Sequence, residues 1–321
     1  MSRLSQAWAL PGDRLVKRLL PVALALTSCL GPVAAAQAEG AVQRVVRTGQ
    51  VVMAGQTDSP PLVVITPSGK AEGYAVDIGQ LVRAELQQVI GKPVGLKLKG
   101  VLTTADQVGL VGSGKADFSC GVPFSWERDA GSNVDYTLPI GLSGLRLLAP
   151  AGRFDGSAAA LAGRRIGVIA GSLGVSQLAG MQPKAVAVPF PNSPAAVSAL
   201  VAGKVDGVIG DSLLLRLLAK QQNATNLVLT PDESYQHYAI SCVVPQNDSA
   251  FRDVVNLAIA RLLQAYLDGA ADAVALVHRW VGPGTAINAS PETIRVYFEN
   301  VMSTVEPIRA QPAAPAPSKG N

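Results

Sequence analysis

The chain is predicted to be an α/β protein of two similar halves, two doubly wound sheets joined by two crossover strands, and three observations carry that expectation. The first is an internal repeat: residues 110–122 read LVGSGKADFSCGV and residues 200–211 read LVAGKVDGVIGD. Both copies run from the apolar end of a helix through Gly-Lys-x-Asp into a short apolar run, the pattern of helix, tight turn and buried parallel strand. The second is the alternation of such runs with helical periodicity along most of the chain. The third is composition: 321 residues, 48% hydrophobic and 16% charged, are enough for one large or two medium cores and too apolar for disorder.

The two copies differ in how they end, the first running on to Glu127-Arg128 and the second closing on Asp211. A guanidinium from one half and a carboxylate from the other would suit a zwitterion held between them. Within the first copy, residues 109–116 (GLVGSGKA) match a phosphate-binding loop except for Ala116, which stands where a metal-binding Ser or Thr is needed. The order also disagrees, since that loop follows a strand and opens a helix, whereas here a helix precedes and a strand follows. A nucleotide site is therefore not expected.

The net charge of +4 is concentrated at the start: residues 1–38 carry Arg3, Arg14, Lys17 and Arg18 against Asp13, a net of +3, so the remainder carries +1. That leaves no basic patch for nucleic acid. Lys17-Arg18 followed by LLPVALALTSCLGPVAAAQA has the charged, apolar and small-residue regions of a signal peptide, with cleavage after Ala36 or Ala38, or before Cys29 in a lipobox-like LTSC that would leave a lipid anchor. Pro21 and Pro32 interrupt the run, and a membrane span needs about 20 apolar residues. The mature protein is thus expected in the periplasm. In that oxidising compartment Cys120 and Cys242, both in apolar runs, are expected to form a disulfide between neighbouring strands of the first half; buried free thiols are the alternative. Neither His237 nor His278 falls at ligand spacing from them, so no metal site and no cofactor are expected.

Along the mature chain, residues 50–55 (QVVMAG) read as a first strand and residues 56–61 (QTDSPP) as the loop leaving its C-terminal end, where open α/β sheets carry ligands. A helical pattern through Leu81, Val82, Leu86 and Val89 stops at Gly91, and residues 93–100 alternate as a second strand. A helix over 103–112 has Thr103 or Thr104 as its cap, followed by a strand over 117–122. Residues 135–140 are extended, and residues 144–149 form an apolar strand read as a crossover. The second half repeats the scheme, with strands at 165–170, 185–190 and 207–209 and helices from about 174 and over 194–202. Asp211 then caps a leucine-rich helix at 212–220. Residues 238–245 return as a second crossover. Helices follow at 249–267, 274–280 and 291–305, then an Ala/Pro-rich tail read as disordered.

Pro60-Pro61, GYAVDIGQLV at 73–82, GKAD at 114–117, Glu127-Arg128 before VDYTLPI, GSL at 171–173 and GKVDGVIGD at 203–211 occur in that order over residues 50–269. On these residues the chain resembles the periplasmic polar amino-acid-binding proteins that feed ABC importers, and is similar to glutamine- and lysine/arginine/ornithine-binding proteins. The resemblance implies a two-lobed periplasmic-binding fold: signal peptide 1–38, first part of lobe 1 at 39–147, lobe 2 at 148–237, a return to lobe 1 with C-terminal helices at 238–305, and a tail at 306–321.

Carried over, Arg128 would hold a ligand α-carboxylate and Asp211 the α-ammonium, its second oxygen being left for the ligand while the first caps a helix. Gly121 would offer a carbonyl, and the Gly171-Ser172-Leu173 turn would present amides at a helix N-terminus. Two departures leave side-chain specificity open: residues 56–61 hold no aromatic, and Pro123 stands where the family has a hydroxyl. Asp117 and Asp206, which precede their strands, are expected to be structural. The implied function is capture of a small zwitterion, an amino acid or another small carboxylate, by a monomer that delivers it to an ABC-importer permease. The alternatives are a dehydratase on the same fold, using one of the cleft acids Asp58, Glu127 and Asp211, or a sensor for a membrane receptor. The lack of a histidine in either ligand loop, or of a nucleophile beside a base, points away from an enzyme.

Overall fold

The computed structural model describes residues 39–124 and 131–303. The signal segment with Cys29, the Glu127-Arg128 pair and the tail lie outside the described residues.

Residues 41–48, to which sequence reading assigned no element, form a short helix, α1 (Ala41–Thr48). Ala41 and Val45, four apart, share its buried face, and Gly49 ends it at a φ of 69°. Then β1 (Gln50–Gln56) leads into a small antiparallel sheet of β2 (Asp58–Ser59), β3 (Val63–Ile65) and β4 (Ala71–Glu72). The main fold continues through α2 (Tyr74–Ile90), β5 (Gly95–Val101), α3 (Thr104–Gly112) and β6 (Phe118–Pro123). The crossover is one strand, β7 (Val134–Pro150), where two separate runs were expected. Both runs and residues 141–143 between them pair with the same returning strand, and the register shifts fall at 136–141, toward the first run.

The second half holds β8 (Arg165–Ile169), α4 (Leu173–Met181), β9 (Val186–Phe190), α5 (Ser193–Val201) and β10 (Gly207–Asp211). It ends with α6 (Ser212–Gln221) and β11 (Leu227–Thr230). The return strand β12 (Gln236–Pro245) then leads to α7 (Ser249–Leu267), α8 (Ala271–Val281) and α9 (Pro291–Met302).

Strand order is β5-β1-β6-β12-β7-β10-β8-β9, with β11 on the end of β7. Reversing the order exchanges the halves: β1 lies between two parallel neighbours in lobe 1, as β8 does in lobe 2, and the antiparallel pair β12-β7 joins them. β12 pairs with β6 of the first half and β7 with β10 of the second, so the two sheets share one hydrogen-bonded path.

Each half has its own core. Ile78, Val82 and Leu86, spaced by four along α2, are buried with Met53, Phe118 and Phe251, the two phenyl rings meeting edge to face at 6.1 Å. Lobe 2 buries Val197, Val208 and Leu215 around Leu148. Each such side chain contributes about 1.5 to 3 kcal/mol relative to exposure.

The repeated aspartates pin the halves in the same way. The Asp117 N–H donates to the Val52 carbonyl at 2.8 Å and its carboxylate accepts the Val52 N–H at 2.6 Å. Asp206 does the same with Arg165, at 2.7 and 2.9 Å. Both are structural, as their position ahead of the strands implied. Between β6 and β12, Cys120 and Cys242 are joined by a disulfide.

Candidate functional site

The strands of both halves end on a cavity of about 340 Å³. Lobe 1 contributes Gln56 and the Ser59–Leu62 loop after β1, Thr103 and Thr104 at the start of α3, and Gly121 and Pro123 at the end of β6. Lobe 2 contributes the Gly171-Ser172-Leu173 turn after β8, Ser193, and Asp211 with the first turn of α6. The crossovers close the space between them through Ile140 to Ser143, Leu145, Tyr238 and Ile240.

The turn at 171–173 is shaped for close approach to a helix end. Gly171 adopts a φ of 69°, which glycine tolerates without strain, and Ser172 caps α4 by accepting from the Gly174 N–H at 3.2 Å. At Gly121 the φ is 88°, a backbone conformation that strains any residue with a Cβ, and a Cβ there would also press on Leu62 Cδ1 at 2.9 Å. Leu62 is itself fixed by α2, whose first amides donate to the Pro61 and Leu62 carbonyls at 2.9 and 3.0 Å.

Asp211 is the single charged residue among the described residues that line the cavity. Its Oδ1 caps α6 by accepting from the Leu213 and Leu214 amides at 3.0 and 2.9 Å. The second oxygen, expected to be left for a ligand, accepts a 2.6 Å hydrogen bond from the Tyr238 hydroxyl. A carboxylate oxygen has two lone pairs, so room for a ligand donor remains, but its direction is set by Tyr238. Burial, with the Asp211 charge beside it, pushes the Tyr238 phenol well above its ordinary range, so it stays a donor.

Of the residues singled out from sequence, Gly121, Pro123, Gly171, Ser172, Leu173 and Asp211 meet at this cavity. Asp58 does not line it; it sits on β2, accepting from the Gln56 amide at 3.5 Å. It pairs with Val64 in a two-strand ladder where an open loop was expected. Arg128 falls outside the described residues. Tyr238 was missed, although its place at the head of the apolar return strand marks where a crossover leaves lobe 2. Tyr74, Tyr297 and the segment around α9 were missed as well. Among the described residues no group of three His, Cys, Asp or Glu could hold a metal ion.

Residues 51–268 match the bacterial extracellular solute-binding proteins, family 3. The chain belongs to that family. No curated protein sequence matches it. Among solved structures it is similar to the solute receptor for L-cysteine of Neisseria gonorrhoeae (21% identity, 79% of this chain and 98% of that one, TM-score 0.67). It is also similar to the P235GK mutant of ArgBP from T. maritima (19%, 75% and 98%, 0.64). A third is the ancestral amino acid-binding protein AncCDT-1, a precursor of cyclohexadienyl dehydratase (20%, 75% and 99%, 0.61). At these identities the likeness is one of fold, and it places this solute-binding protein among two-lobed relatives whose sheets meet at a cleft.

Proposed function

We propose that this solute-binding protein captures an amino acid between its lobes in the periplasm, as a monomer, and delivers it to the permease of an ABC importer. The observation that carries this is Asp211: one carboxylate, oriented by two amides and a phenol, on a cavity with no other charged lining residue among those described. A lone anionic acceptor suits an α-ammonium, and a plain carboxylate ligand would be repelled by it. Arg128, at the other end of the sequence repeat, is proposed to hold the α-carboxylate with two parallel bonds that a lysine cannot form. Named structures of the same fold bind arginine, glutamine and L-cysteine, which supports the class of ligand without selecting a member.

The test is a thermal-shift screen of the purified protein against the amino acids, small carboxylates and prephenate, followed by calorimetric titration of the best ligand. A ligand at a hundred times its dissociation constant stabilises the folded state by about 2.7 kcal/mol. Arg128→Ala should weaken binding by at least roughly a hundredfold, from the loss of charge-assisted bonds of about 1.5 to 3 kcal/mol each. Unchanged affinity in that variant retires the amino-acid assignment, and consumption of prephenate would replace it with catalysis.

A further inference from the structure

The family match ends at residue 268, yet the cavity does not. Val281, Ile287, Ala289, Ile294, Tyr297 and Phe298, from α8, the loop after it and α9, line its inner end beside the crossover strands. The segment is firmly seated. The Trp280 indole donates to Asp77 on α2 at 2.7 Å, the Phe298 ring packs edge to face on Tyr266 at 5.1 Å, and the Tyr297 hydroxyl donates to the Gly141 carbonyl of β7 at 2.7 Å.

At the same end stands Tyr74, which lines the cavity, is only 3% exposed, and has a hydroxyl with no hydrogen-bond partner. A buried hydroxyl without a partner is costly, and native proteins rarely keep one that has no use. Burial, with Tyr297 nearby, raises this phenol, so it is a donor at every working pH.

We propose that the segment from Val281 to Phe298 is part of the binding machinery. It closes the inner end of the cleft into an apolar pocket that selects an amino acid with an uncharged, largely apolar side chain, and the Tyr74 hydroxyl donates that side chain's one hydrogen bond. This rests on the amino-acid reading of the cleft and adds to it which side chain is taken. Asp211 is spoken for by the ligand's ammonium, and none of the remaining described lining residues carries a charge that could pair with a second one. A guanidinium or a carboxylate pushed against Ile287 and Ile294 would lose its hydration with no counter-charge in return. An aliphatic chain gains by the same move.

The experiment is calorimetric titration of wild type, Tyr74→Phe and Ile287→Asp with norleucine, O-methylhomoserine, arginine and glutamate, alongside melts of the ligand-free proteins. O-methylhomoserine carries an ether oxygen where norleucine has its δ-methylene, so the pair differs by one acceptor. Both should bind wild type at least about tenfold more tightly than arginine or glutamate, by the cost of an unpaired buried charge. The ether should be favoured by about fivefold, as expected of one neutral hydrogen bond. Tyr74→Phe should erase that preference without lowering the melting temperature, because the hydroxyl it removes is unpaired in the free protein. Ile287→Asp should weaken both apolar ligands by at least about tenfold. The proposal is overturned if arginine or glutamate binds as tightly as norleucine, if the ether preference survives in Tyr74→Phe, or if Tyr74→Phe melts lower, which would show a structural partner. Binding of none of the four, while another amino acid passes the screen, also overturns the pocket's selectivity but leaves the amino-acid reading standing. Failure of every amino acid in the screen removes that reading itself.

Discussion

The two lobes carry the same short text and use it for different ends. Aligned on Gly-Lys-x-Asp, Cys120 on β6 corresponds to Ile209 on β10, and each lies opposite a residue of the neighbouring crossover, Cys242 in lobe 1 and Leu147 in lobe 2. A covalent bridge in one half thus stands where the other has two buried aliphatic side chains in contact. One residue along, Gly121 and Gly210 both line the cavity. At the next position Val122 is buried in lobe 1, while Asp211 in lobe 2 reaches the cleft. The repeat supplies the frame, helix to turn to strand with an aspartate at the hinge of each. The cavity's one charge among the described residues comes from a position at which the copies depart from each other.

The largest effect should come from cutting the bridge. In the chain-entropy model a loop spanning 122 residues is worth about 4 to 5 kcal/mol. Cys120→Ala with Cys242→Ala should lower the urea midpoint accordingly, and hydrogen exchange should show β6 and β12 losing protection ahead of β8 and β9. Uniform loss across both lobes would mean that they unfold as one unit and that the contrast has no energetic content.

Next comes the aspartate of lobe 1. Asp117 is 1% exposed and takes the Val52 amide together with two guanidinium nitrogens of Arg44, one of them at 2.7 Å. Asp117→Ala leaves a half-buried guanidinium and a strand amide unpaired, at about 3 kcal/mol. Arg44 comes from α1, so the same variant should also free that helix, seen as exchange at Val45.

How far the molecule could be read in advance follows from the range of the contacts involved. Within each half the elements are set by periodicity over five to twenty residues, and the repeat of Gly-Lys-x-Asp exposed the symmetry without any pairing information. Helix α1 escaped because AVQRVVRT has only two buried positions, Ala41 and Val45, too few to stand out from a polar leader. The lining residues common to the resemblance were found at 121, 123, 171 to 173 and 211, since they sit at strand ends. Tyr238 against Asp211 and Tyr297 against Gly141 were not found, because bonds across 27 and 156 residues leave no local pattern. The loop acid Asp58 was misplaced for the opposite reason: QTDSPP reads as an open loop, yet its centre pairs with Val63 and Val64.

A smaller effect separates the helix cap made by Asp211 from its proposed ligand contact. Asparagine caps helices about as well as aspartate, so Asp211→Asn should hardly change stability while removing the charge that lines the cavity. Loss of one charge-assisted bond, about 1.5 to 3 kcal/mol, predicts binding weaker by about ten- to a hundredfold in calorimetry. A comparable fall in the urea midpoint without ligand would make the residue a structural cap first.

The smallest effect concerns Asp206, the counterpart of Asp117, and it tests whether equal geometry means equal energy. Its guanidinium partners, Arg153 and Arg165 at 3.1 and 3.4 Å, are half exposed, where water screens the pair. Burial alone would raise its carboxyl, but the Arg165 amide and the two arginine charges outweigh that and hold it below the ordinary 3.8. A carboxyl with a depressed folded pKa favours the native state at pH values above its unfolded pKa, and this contribution is lost as pH falls below 3.8 through the folded value. Asp206→Asn should therefore cost about 1 kcal/mol or less at neutral pH. That cost should shrink toward zero in acid, so that wild type and variant converge below the ordinary carboxylate range. Melts at pH 7 and at pH values stepped down through that range decide it. A gap that persists in acid would assign the effect to lost geometry at the Arg165 amide rather than to charge. A gap at pH 7 as large as that of Asp117→Ala would show that exposure of the partners does not distinguish the lobes.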